Sequence, residues 1–194
     1  MYTMNQSPTG LRISEVDTRD GTITVPATGN IFLKQEQFGA FYQTTLTLVD
    51  VPQAVVNGTE YQSTPLYTFP EGRIFVVGVT ATLQQKTTSA LASTLNASST
   101  GAISLGTVAA SSTTLSGTMV DLLPSTAFTS SATINVAGTA VSAALAAAAA
   151  FDGTSAAKVM RLNTAYATTT DVDADATQTI SGTIVATWIF LGDY

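Results

Sequence analysis

Between Thr177 and Leu191 the chain reads T-Q-T-I-S-G-T-I-V-A-T-W-I-F-L, and its apolar and polar residues alternate. Ile180, Gly182, Ile184, Ala186, Trp188 and Phe190 fall on one side. Thr179, Ser181, Thr183, Val185, Thr187 and Ile189 fall on the other. Side chains on a strand point to opposite faces in turn, so this period predicts a strand with a core face and a Thr-covered face. Fully extended, such a stretch spans roughly 50 Å at ~3.3 Å per residue. We read it as the long central strand of an antiparallel sandwich. Arg73 to Leu83 is the second clear strand, with Phe75, Val77, Val79 and Leu83 expected to be buried with Ile180, Ile184, Trp188 and Phe190. Gly78 within it marks a bulge or a close backbone approach.

Shorter alternations surround these two. Phe41 to Val49 sets Tyr42, Thr44, Leu46 and Leu48 against Phe41, Gln43, Thr45, Thr47 and Val49, and Asp50-Val51-Pro52 is expected to end it. Asn57-Gly58 supplies a hairpin turn. Tyr61 to Phe69 is broken by Pro65 and closes on the Phe69-Pro70-Glu71-Gly72 loop. Ala102 to Val108, Thr118 to Leu123 ahead of Pro124, Ala132 to Val136 and Lys158 to Tyr166 read as further short strands. Lys86 to Thr100 reads as a loop or weak strand. Ser142 to Ala150 is the one helix predicted, with Asp152-Gly153 as its stop. About eight turn-separated strands with almost no helix predict an all-β antiparallel sandwich of jelly-roll type. Residues 1–40 stand apart as an N-terminal arm or edge hairpin, because they hold Arg12, Glu15, Asp17, Arg19, Asp20, Lys34 and Glu36 and are interrupted by Pro8, Pro26 and Gly29. Residues 41–194 form the sandwich domain.

Composition narrows the chemistry. The chain has 194 residues, no Cys and no His. That removes disulfides, thiol nucleophiles, the commonest general base and the commonest transition-metal ligand. Charged residues are only 10% and the net charge is -6, so no basic stripe is present to meet a nucleic acid. No apolar run reaches the length of a membrane span, and Met1 to Gly10 does not have the pattern of a signal peptide. Asp171, Asp173 and Asp175 form D-x-D-x-D, the opening of a calcium loop. The pattern then departs from that motif, with Ala176 where a Gly belongs and Gly182 where a Glu belongs. A solvated acidic turn is the favoured reading, and these three carboxylates stay the candidate metal ligands. Asn5, Asn57 and Asn96 fit short glycosylation sequons in a chain rich in Ser and Thr. No Ser-Lys dyad motif and no phosphate-binding loop occurs. No catalytic residue and no cofactor is assigned.

From Phe151 onward the residues carry a resemblance. Asp152-Gly153-Thr154-Ser155-Ala156-Ala157-Lys158-Val159 leads into a strand, an acidic loop follows, and Ser181-Gly182-Thr183-Ile184 precedes the ending Trp188 to Tyr194. Upstream come the Phe69-Pro70-Glu71-Gly72 turn, the Arg73 to Leu83 strand, Ile103-Ser104-Leu105-Gly106 and the Ala-rich Val141 to Ala150. This layout resembles the small head structural proteins of tailed bacteriophages, of the decoration or cement type, over Phe41 to Tyr194. The resemblance implies a jelly-roll domain on the outer capsid surface of a virion, bound to the major capsid protein and often trimeric, with no enzymatic activity and no required cofactor. The alternatives are a tail, fibre or knob component of a virion, and, in a different class, a β-sandwich carbohydrate-binding or adhesive module. The last would use exposed aromatics, for which Tyr61, Tyr67 and Phe69 are the dense group.

Overall fold

The computed structural model describes residues 4–7, 10–13, 21–24, 29–87, 100–129, 141–144, 148–166 and 175–192. Thirteen strands are present there: β1 (Met4–Ser7), β2 (Gly10–Ile13), β3 (Thr22–Ile23), β4 (Asn30–Phe38), β5 (Phe41–Val55), β6 (Tyr61–Thr68), β7 (Gly72–Thr87), β8 (Thr100–Gly106), β9 (Leu123–Thr129), β10 (Val141–Ala144), β11 (Ala149–Gly153), β12 (Val159–Tyr166) and β13 (Ala176–Gly192). β1 and β2 form a two-stranded hairpin. A six-stranded sheet runs β10-β7-β13-β5-β4, with β11 on the same edge of β7 as β10. A five-stranded sheet runs β3-β6-β12-β8-β9. All strand pairs are antiparallel. The fold is an all-β sandwich, and β13 is its central long strand, paired with β5 on one side and β7 on the other.

The inner faces follow the two-residue period, but bulges shift its phase. On β13 the buried apolar residues are Ile180, Ile184, Ala186 and Trp188, with Phe190 packed half-buried against them. On β7 the pairing passes from Thr187 opposite Gly78 to Trp188 opposite Val76. Val77 is therefore an extra residue, and both Val77 and Gly78 point outward. Beyond this bulge Val79, Ala81 and Leu83 face the core, while before it Ile74 and Val76 do so. The expected core positions Phe75 and Val77 are thus corrected: Val77 is 41% exposed and its neighbour Val76 is 0% exposed. An added residue on one strand reverses every side chain past it.

β5 does not end at Pro52. It bulges at Asp50, whose φ of 48° is the one positive value among the described non-glycine residues. Pairing moves from Leu48 opposite Gly182 to Val51 opposite Ile180. The buried face then changes from Tyr42, Thr44, Leu46 and Leu48 to Val51 and Gln53. Gly182 faces this bulge with φ 144°, and a Cβ there would sit 2.1 Å from the Thr82 carbonyl oxygen. That position admits only glycine without a shift of the backbone.

Proline inside a strand costs a ladder hydrogen bond unless it faces an open edge. The three here meet that condition. Pro52 lies past the end of β4, whose pairing with β5 stops at Asn30 opposite Val49. Pro65 lies past β3, which pairs only with Tyr67 and Thr68. Pro124 is on the edge strand β9. Strands expected to break at Pro52 and Pro65 therefore continue through them, and the one expected at Thr118 to Leu123 begins at Leu123, after a short 3-10 turn at Gly117–Met119. The helix expected over Ser142 to Ala150 is corrected too. Val141–Ala144 and Ala149–Gly153 are strands on the β7 edge. Ala has high helix propensity, but tertiary pairing along β7 overrides a weak local preference. Residues 22–23 lie in the five-stranded sheet, residues 30–38 form the edge strand of the six-stranded one, and residue 40 falls in the β4–β5 hairpin turn. The strand expected at Ala132 to Val136 lies outside the described residues.

Candidate functional site

The two sheets differ in what covers their outer faces. Outside the five-stranded sheet, the segment 107–122 lies over β8 and β12. Asn163, fully buried on the outer side of β12, donates from Nδ2 to the carbonyls of Val108 and Met119 at 3.0 and 2.9 Å, and accepts from the Ala110 amide at 3.0 Å. Ser104 donates to the Met119 carbonyl at 2.8 Å. Asp121 accepts from the Thr107 amide and hydroxyl at 2.8 and 2.6 Å. Burial pushes the Asp121 carboxyl above its ordinary value, against the Thr107 hydrogen bonds that favour the anion. These side chains pin a loop to a sheet.

Outside the six-stranded sheet no segment is pinned in this way among the described residues; the β1–β2 hairpin comes near its edge strand β4. The register aligns outward residues in rows across the strands: Phe32, Thr47, Thr183, Thr82 and Ser142, then Lys34, Thr45, Val185, Thr80 and Ala144. Phe38 and Phe41 face each other across the hairpin end. The exposed large apolar side chains among the described residues are Phe32, Phe38, Phe41, Val49, Val56, Val77, Val108 and Leu191. All but Val56 and Val108 belong to this sheet. Its charges are paired in place: Lys34 with Glu36 at 2.9 Å, Arg73 with Asp152 at 3.7 Å, and Lys86 with Asp50 at 2.8 Å. Asp50 also accepts from Thr179 and Ser181 at 3.3 and 3.4 Å, while its amide donates to Ser181 Oγ at 2.9 Å. The Lys86 hydrogen bond holds the Asp50 carboxyl below its ordinary value. Asp152 is lowered as well, first by the Thr154 hydroxyl at 2.6 Å.

Between the sheets, beyond the β5 bulge, the interior turns polar. Gln53 donates to Thr64 at 2.7 Å and accepts from Thr164 at 3.1 Å. Gln178 donates to the Tyr166 hydroxyl, and its Oε1 has no partner among the described residues. Glu60, 7% exposed, has a buried oxygen in the same condition.

Of the carboxylates picked out as metal ligands, Asp171 and Asp173 lie outside the described residues. Asp175 is exposed and accepts from the Asn57 amide at 2.8 Å, which ties the start of β13 to the Asn57-Gly58 turn. Among the described residues no group of three carboxylates stands close enough to hold a metal ion. The aromatic group offered for a glycan surface is not a surface: Tyr67 and Phe69 are buried in the core, where the Phe69 ring meets Tyr67, Phe151 and Trp188 edge-on at 5.1, 5.1 and 5.7 Å. Among the described residues no helix is long and apolar enough to cross a membrane. The sheet-wide exposed face was missed in the sequence, although the Thr-covered side of β13 was its visible part. No family model matches the chain, and no curated protein matches it.

Proposed function

We propose that this chain is a virion structural protein that binds the outer face of an assembled tailed-phage head and stabilises it, as decoration proteins do. The resemblance of Phe41 to Tyr194 to that group supports the reading, together with the two-sheet β architecture that the resemblance implies. The single observation that carries it furthest is the antiparallel two-sheet sandwich, the architecture that the resemblance implies. A chain whose exposed large apolar side chains mostly gather on one sheet, with that sheet's charges already paired, suits a protein held in an assembly. The partner in this reading is the major capsid protein of the same virion, and the resemblance carries a homotrimer on the shell.

Stabilisation then follows from linkage. A ligand that binds the assembled shell and not the free subunit stabilises it by RT ln(1 + [L]/Kd), about 2.7 kcal/mol per site at a hundredfold excess over Kd. Repetition over many equivalent sites makes a small local term large for the particle. The test is co-sedimentation of the purified chain with emptied shells of its own virion, alongside the unassembled capsid subunit. Saturable binding to shells, weak binding to subunits and a raised shell melting temperature are expected. Equal binding to both, or none to shells, would sink the proposal.

A further inference from the structure

We infer that the outer face of the six-stranded sheet is an interface between two copies of this chain. The inference does not rest on the virion reading and would hold for any function.

Charge is the first argument. The chain carries a net charge of -6, so two copies repel over most of their surface. On this sheet the three cations Lys34, Arg73 and Lys86 each sit against a carboxylate, Glu36, Asp152 and Asp50. The sheet is therefore a neutral face on an acidic molecule, and face-to-face contact there avoids the repulsion that other contacts would meet. Size is the second. Five strands at ~4.8 Å spacing and nine residues of ~3.3 Å rise give a face of roughly 24 by 30 Å. That is about 700 Å², close to the ~800 Å² per partner of a standard stable interface. Shape is the third. The centre, around Thr47, Thr183 and Val185, is made of short and β-branched side chains, and the Phe residues stand along the β4 edge. Two such faces stack as sheets do in sandwiches, with their strand directions within about 30° of each other. Using the same patch on both copies generates a two-fold axis, so this contact is separate from the three-fold contact of the proposed trimer on the shell. On the other sheet, segment 107–122 already lies over β8 and β12.

The experiment is sedimentation of the full chain between ~0.01 and ~100 μM, since interfaces of this size dissociate from about the micromolar range downward. A two-chain mass is expected, with a dissociation constant insensitive to salt because the face is neutral. Thr183→Lys places an unpaired charge at the centre and should weaken the pair at least ~10-fold. Thr47→Lys, on the neighbouring strand, should do the same, and Ser125→Lys on the edge of the other sheet should not. Below the concentration at which the unmodified chain pairs, each variant should melt as it does, because these side chains are outward; above it, the face variants lose the stability that pairing adds. If Thr183→Lys fails to fold, Thr47→Lys makes the same reading. A one-chain mass at every concentration, or an oligomer untouched by both face substitutions, would overturn the inference. So would a monomer whose shell binding is lost on Thr183→Lys, since the face would then belong to the capsid. Failure to bind shells would leave the measured mass unaffected, so the two proposals fail separately.

Discussion

The two ends of the sandwich interior are built on opposite principles. At the end of Trp188 the core is aromatic. The indole stacks on Tyr42 at 4.5 Å, meets the Phe69 edge at 5.7 Å, and satisfies its own N–H on Thr44 at 2.9 Å. At the end of Gln178, ten residues and ~33 Å away along β13, Gln53, Gln178, Thr164 and Tyr166 fill the space between the same two sheets. The β5 bulge at Asp50 and the facing Gly182 divide the two. Apolar burial rewards every atom withdrawn from water. Polar burial is close to neutral when satisfied and costly when it is not. The aromatic end should therefore hold the stability, and the glutamine end should hold the geometry.

Trp188→Ala is expected to have the largest effect. It removes a fully buried ring, and such truncations cost ~3–5 kcal/mol, a drop in Tm on the order of 10 °C for a chain of this size. An unchanged melt would show that the aromatic end is not the keystone. Gly182→Ala comes next. The new Cβ meets the Thr82 carbonyl and demands a left-handed residue, which costs about 1–3 kcal/mol. Amide exchange should quicken on both neighbouring strands, β5 and β7. At the glutamine end, Gln53→Leu leaves the Thr164 hydroxyl without its acceptor, while Thr64 loses one donor and keeps its bond to the Pro52 carbonyl; this should cost ~1–3 kcal/mol. Gln178→Leu should cost less, because it also removes an oxygen that has no partner among the described residues. Chemical denaturation of the two variants checks that order, and a reversed order would break the account of the polar end.

The smallest effect is a pH dependence. Asp50 is lowered in the folded state, from an ordinary value of 3.8. Its contribution is thus present above that value and lost as pH falls through the folded one. The pair is partly exposed, side chains 27% and 48%, so the change is under ~1 kcal/mol. Asp121 has the opposite sign. Its folded value is raised by burial from 3.8, so it favours folding below that ordinary value and loses the contribution as pH rises through the folded one. Urea midpoints between pH 3 and 7 should show less acid loss in Lys86→Gln and less acid gain in Asp121→Asn.

Alternation along the chain was enough to establish the class of fold, the central place of Thr177 to Leu191, and the inward face of Ile180, Ile184 and Trp188. Strict alternation is local information, and it survives folding wherever no residue is inserted. Gln178 lay in phase with that same face and was open to the same reading, one step before Ile180. The places where the phase changes were settled only by pairing in three dimensions. The bulges at Asp50 and Val77 depend on the strand opposite, so Phe75 and Val77 point outward although the period placed them inward. Val141–Ala144 and Ala149–Gly153 became strands because β7 offered an edge, which no local propensity encodes. Pro52 and Pro65 stayed within strands because their neighbours had ended. The candidate interface was out of reach for the same reason: its rows bring together residues from five strands, and adjacency across a sheet is a property of register, not of sequence.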